Sequence, residues 1–137
     1  MAFPPAELPL YGLDARWAVL AGKGALLGGL GAAAWGVTSL NESLWHLPEP
    51  RDEGCELKTE GAYKLVRHPM YLGVLAGCGG VTAITGDVVR LALTLALART
   101  FAAKAALEEE WLRERHGAAE WDAYCERTPW RLWPRVY

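Results

Sequence analysis

The sequence predicts an all-α, polytopic integral membrane protein with about three transmembrane helices and an interfacial C-terminal helical tail. Two apolar stretches, Met70–Thr85 without a charge and Val88–Leu107 with only Arg90, Arg99 and Lys104, flank the turn signal Gly86-Asp87. A third apolar segment, Trp17–Leu40, is glycine-rich and interrupted only by Lys23. The 52% hydrophobic content against 22% charged residues leans the same way, and mean hydropathy is only +0.05 because the polar parts are segregated.

The 137 residues form one membrane domain. Residues 1–15 are a lead-in, with three prolines and no basic region before Leu10, so no secretory signal peptide is expected. Residues 16–40 are the first span. Its small residues recur every four positions in two rows, Gly24, Gly28, Ala32 and Gly29, Ala33, Val37, a ridge that lets helix backbones approach closely in lipid. The partner is either inside the chain or a second copy, which leaves a homodimer open. Residues 41–69 are a polar loop with Pro48 and Pro50, expected to be irregular.

Residues 70–107 are a helical hairpin. At about 1.5 Å per residue, Met70 to Gly86 climbs roughly 26 Å and Asp87 to Leu107 descends about 31 Å, close to a hydrocarbon core of about 30 Å. Glu108 therefore returns to the level of His68. Arg51, Lys58, Lys64 and Arg67 of the loop and Lys104, Arg113, Arg115, Arg127, Arg131 and Arg135 of the tail outnumber Arg16, Lys23 and Arg90 across the membrane. The positive-inside rule then turns the motif side to the cytoplasm or an equivalent compartment. The tail, 108–137, carries Trp111, Trp121, Tyr124, Trp130, Trp133 and Tyr137, which suit the headgroup region, so it should lie along the membrane and fold over the hairpin.

The run Arg67-His68-Pro69-Met70-Tyr71-Leu72-Gly73 sits where the hairpin begins. Proline disfavours helical geometry at His68 and suits the first helical turn itself, so a helix should start at Pro69. Its free N–H groups and positive dipole end, beside Arg67 and Lys64, form an anion site at the membrane surface. Tyr71 and Gly73 leave room for a flat ring or a sulfonium. Across the hairpin, at most two of Glu108, Glu109 and Glu110 can face one pocket, because adjacent helical residues point about 100° apart. Read alone, the first motif is a helix start with interfacial side chains, and the acidic run is a solvated face with Lys104–Glu108 and Glu109–Arg113 pairs.

Other features exclude function classes. Cys55, Cys78 and Cys125 have no CxxC pairing, which supports neither a disulfide framework nor a zinc site. His116 and His46 are read as surface residues, and no metal is expected. A formal charge of −2 argues against nucleic acid as a partner.

Taken together, Leu57-Lys58-Thr59-Glu60-Gly61-Ala62-Tyr63-Lys64-Leu65-Val66, the Arg67–Gly73 run and Glu108-Glu109-x-x-Leu112, continuing through Gly117, Trp121, Tyr124 and Pro134, resemble the isoprenylcysteine carboxyl methyltransferase and phospholipid methyltransferase superfamily. The resemblance covers roughly residues 20–137. It implies a membrane enzyme that uses S-adenosylmethionine at the cytosolic face while a lipophilic acceptor enters from the bilayer. Carried over, Tyr63, Arg67, His68, Pro69, Tyr71 and Gly73 frame the cofactor, and Glu108 and Glu109 close the pocket. His68, Glu108 and Glu109 are the candidate catalytic bases. The acceptor is left open among a prenylcysteine carboxylate, a phospholipid amine, a small thiol and a quinone-like lipid.

Ala62 stands where the family has proline, the Gly117–Trp121 spacing is one residue longer, and the family's additional leading span has no room here. A dimer is one way to complete the acceptor tunnel. The ending Gly117, Trp121, Tyr124-Cys125, Pro129, Arg131, Pro134 and Tyr137 also resembles that of NADPH-dependent sterol reductases. Those have asparagine at the place of Met70 and lack the paired glutamates, and clustered carboxylates repel a 2′-phosphate, so the methyltransferase reading ranks ahead. A non-catalytic membrane scaffold is the third alternative.

Overall fold

The computed structural model describes residues 15–40 and 57–133. They form four α-helices, α1 (Ala15–Leu40), α2 (Pro69–Thr85), α3 (Val88–His116) and α4 (Ala118–Arg127), with a 3₁₀ turn at Gly61–Lys64 and no strand among them. The expectations for the lead-in before Ala15, for the loop stretch 41–56 with His46 and Cys55, and for Pro134 and Tyr137 lie outside the described residues.

α1 and α2 run antiparallel in backbone contact. A Cβ on Gly22 would stand 2.7 Å from the Gly80 carbonyl oxygen, one on Gly29 2.5 Å from that of Gly73, and one on Gly36 2.9 Å from the Met70 side chain. Gly22, Gly29 and Gly36 are two helical turns apart, so they share one face. Of the two rows of small residues in the sequence, only Gly29 and Ala33 belong to this seam. Gly24, Gly28 and Gly31 meet nothing within 4 Å. The selection comes from α2, whose Gly73 and Gly80 let the backbone of α1 at Gly29, Ala33, Gly22 and Leu26 come into direct contact.

α2 starts at Pro69, as the proline chemistry requires, with His68 held out of helical geometry at φ −125°, ψ 67° before it. It ends at Gly86, which takes the left-handed φ of 63° while its N–H donates to the Thr82 carbonyl. Asp87 then caps α3 by accepting from the Val89 N–H at 2.8 Å. α3 does not stop at Leu107. Its 29 residues carry it unbroken to His116, so Glu108 and Glu109 sit on a continuous helix rather than on a separate tail. Gly117, at φ 86°, turns the chain into α4, and Arg113 clasps Asp122 with two 3.1 Å bonds.

Among the described residues, one helix, Arg16–Leu40, is long and apolar enough to cross a membrane, and Pro69–Thr85 is a shorter apolar helix. Trp17, Leu20, Leu27 and Leu30 of α1 and Leu91, Leu93 and Leu95 of α3 point outward. Apart from Leu75 of α2, the buried hydrophobic side chains belong to the other end, with Tyr63, Val66, Ala105, Trp121, Tyr124 and Leu132. The residues after α4 are part of that core. The N–H groups of Arg67 and His68 donate to the carbonyls of Trp130 (2.9 Å) and Arg131 (3.1 Å), and the Tyr124 hydroxyl donates to the Tyr63 carbonyl at 3.0 Å. Trp121 and Tyr124 are thus interior packing, whereas Trp111 and Trp133 are exposed.

Candidate functional site

The start of α2, the last turns of α3 and α4 enclose a cavity of about 240 Å³. Tyr63, Arg67, His68 and Tyr71 line it from the 3₁₀ turn and the start of α2, Glu108, Leu112 and His116 from α3, and Trp121 and Tyr124 from α4. Leu40, Leu57, Lys58 and Met70 complete the lining. Residues forty apart in sequence therefore do share one space.

Tyr71 organises the polar wall. In the first turn of α2 its ring lies parallel to that of His68 (centroids 5.3 Å apart) and stacks on Phe101 of α3 at 4.6 Å. Its hydroxyl donates to Glu108 Oε1 at 2.6 Å, a short bond of the kind a carboxylate makes. Lys104 Nζ stands 3.7 Å from the same carboxylate and 5.5 Å from the Tyr71 ring centre. The His68 ring spans both glutamates, with Nδ1 3.5 Å from Glu108 Oε2 and Nε2 3.3 Å from Glu109 Oε1.

The paired glutamates face different surroundings. Glu108 is half-buried and faces the cavity, whereas Glu109 is 7% exposed and is not part of the lining. Glu109 receives Arg67 Nε at 2.9 Å on one oxygen and Arg131 Nε and Nη2 at 2.9 and 2.6 Å on the other. Burial alone would push the Glu109 carboxyl up. The hydrogen bonds to His68 and Arg131 and the charges of Arg67 and Arg131 outweigh it, and hold the group at about 2 against an ordinary 4.5. Burial, with help from Glu108, pushes the Tyr63 hydroxyl up to about 12. Burial likewise raises Tyr124, so both phenols remain neutral.

Several expectations are relocated. Glu109 pairs with Arg67 and Arg131 instead of Arg113, because Arg113 turns to Asp122 on α4. Of the acidic run, Glu110 is exposed. Gly73 faces α1, where an added Cβ would lie 2.5 Å from the Ala33 nitrogen, and it lines a separate apolar groove between α1, α2 and α3. Pro69 is buried against Gly36. The arginine expected to furnish an anion site at the start of α2 is engaged by Glu109 and, at 3.5 Å, by the Thr128 carbonyl. His116, expected at the surface, is half-buried and lines the cavity. Arg131, Phe101 and Lys58 went unselected as site residues. Lys58 and Arg131 both lie in stretches that carry the family resemblances, but nothing local to either stretch says which of its side chains reaches the site. For Phe101 the two-helix arithmetic that levelled Glu108 with His68 was a usable signal, since it also sets Phe101 about two turns into α3 from Glu108.

Residues 17–119, more than half of the chain, match the family model described as phospholipid methyltransferase. The chain is similar to a protein-S-isoprenylcysteine O-methyltransferase B of Arabidopsis thaliana, 31% identical over 58% of this chain and 40% of that protein. It is also similar to a delta(14)-sterol reductase of Mus musculus, at 29% over 64% of this chain and 21% of that one. A nickel-cobalt-cadmium resistance protein of Alcaligenes xylosoxydans xylosoxydans is 36% identical over 61% of this chain and 38% of its own length. The chain thus spans less than half of each of these relatives. No solved structure matches it significantly.

Proposed function

The chain belongs to the phospholipid methyltransferase family, and from that premise we propose that it is an integral membrane methyltransferase that uses S-adenosylmethionine to methylate a lipophilic acceptor. In this reading α1, α2 and the first part of α3 are three spans, and the cavity opens toward the cytoplasm or an equivalent compartment. The observation that carries the reading is the convergence of Tyr63, Arg67, His68 and Tyr71 with Glu108 on one cavity.

The residues present fit the cofactor. A half-buried carboxylate, Glu108, suits an ammonium or sulfonium, and Trp121 adds an aromatic ring to the lining of the same cavity. The volume of about 240 Å³ falls just below the range for small-molecule sites, about 300–1,000 Å³. When bound, S-adenosylmethionine supplies the activated methyl group and a thioether leaving group. The protein's part is to hold donor and acceptor in line and keep water out. Tyr71 fixes Glu108 through its 2.6 Å bond, and the His68 ring is fixed between the two carboxylates. A carboxylate or thiolate acceptor needs no base. For an amine, His68 and Glu108 are placed to take the proton, and Glu109, buried with its carboxyl held near 2, is the poorest base of the three. The separate groove lined by Leu26, Leu30, Val74 and Leu97 offers an apolar path for the acceptor's chain.

The sterol reductase similarity supports a second reading, a reductase that takes NADPH in the same cavity. Calorimetric titration of the full chain in nanodiscs with S-adenosylmethionine, its demethylated product and NADPH separates the two. Micromolar binding of the first two, weakened about tenfold or more by Glu108→Gln, is expected. Preference for NADPH supports the reductase, and binding of none supports a scaffold.

A further inference from the structure

An amino-acid moiety brings two opposite charges into a site, and the cavity's own charges show which residue is free for each. Glu108 is the carboxylate in the lining. The lining offers two permanent cations, Arg67 and Lys58. The Arg67 side chain is 12% exposed, with Nε donating to Glu109 at 2.9 Å and Nη1 to the Thr128 carbonyl at 3.5 Å. It is built into the Glu109–Arg131 cluster that anchors residues 128–132. Lys64 is exposed and outside the lining, and Lys104, also outside it, is drawn to Glu108 and Tyr71. Lys58 is half-buried at the cavity and has no carboxylate partner among the described residues.

Resting on the methyltransferase reading, we infer that Lys58, and not Arg67, receives the carboxylate of the cofactor's amino-acid end, while Glu108 receives its ammonium. A lysine suits this place. Its ammonium has three donors on a flexible four-carbon stem and can follow a ligand carboxylate, whereas the arginine fork is already fixed by its partners. The assignment gives Arg67 another task, holding Glu109 and the Thr128–Leu132 segment so that the cavity wall keeps its shape.

The test uses two ligands that differ only at the group in question, S-adenosylmethionine and its decarboxylated analogue, titrated into the full chain in nanodiscs. Lys58→Ala is expected to weaken S-adenosylmethionine about tenfold, the scale of a charge-assisted hydrogen bond, and to leave the decarboxylated analogue unchanged. Lys58→Arg should restore most of the loss. A loss that is equal for both ligands, or no loss for either, overturns the assignment while leaving the methyltransferase reading in place. Failure of the unsubstituted chain to bind either ligand overturns that reading, and the assignment with it.

Discussion

Replacing Glu109 with glutamine keeps the shape of the side chain and removes its charge. The carboxyl lies at about 2 in the folded protein against an ordinary 4.5, which at 1.36 kcal/mol per pH unit corresponds to about 3 kcal/mol of stability at neutral pH. Breaking a buried pair from one side costs about 3–5 kcal/mol, which agrees, although Arg131 is 38% exposed and its share is screened. The direction of the pH dependence follows from the lowered value. The stabilisation is complete above about 4.5 and disappears as the pH falls toward 2. Thermal melts in detergent should show Glu109→Gln lowered on the order of 10 °C at pH 7, taking roughly 3–5 °C per kcal/mol. Between pH 4.5 and 2.5 the variant should approach the parent, because the parent is then losing the same charge. A glutamine variant that melts within 1 °C of the parent at pH 7, or a gap that widens on acidification, would refute the view that Glu109 anchors the cluster.

Two other substitutions test the seam and the polar wall. Gly29→Ala places a Cβ 2.5 Å from backbone atoms of α2 and should cost about 1–3 kcal/mol in the same melts, whereas Gly28→Ala, with nothing within 4 Å, should be neutral or slightly stabilising. Equal effects would reject the assigned seam. Tyr71→Phe keeps the stacking on His68 and Phe101 but loses the 2.6 Å bond to Glu108. It should weaken demethylated-product binding about three- to tenfold, with melting little changed; unaltered affinity would remove Tyr71 from the site.

The sequence made legible whatever depends on local backbone rules. Pro69 marks the start of α2, Gly86-Asp87 marks the turn, and the length arithmetic brings Glu108 beside His68. The division between Glu108 and Glu109 was not legible, because it is imposed by Arg131, 22 residues beyond Glu109 and reached only after Gly117 reverses the chain. Helical spacing could say that two of three glutamates share a side, but not that one would turn inward to Arg67 and Arg131. In the same way, four-residue spacing nominated two rows of small residues in α1, and only the glycines of α2 decide which one packs.

The pairing of Arg67 and His68 with the backbone at Trp130 and Arg131 also sets an order of events during synthesis. Arg67 precedes Thr128 by 61 residues, so at roughly 5–20 residues per second the motif emerges from the ribosome about 3–12 s before its partners. In that interval both amides and the Arg67 guanidinium lack the acceptors that hold them in the finished protein. The α2–α3 hairpin is therefore made before the contacts that fix the motif exist, and the cavity takes its final shape last, once residues 128–132 have been made.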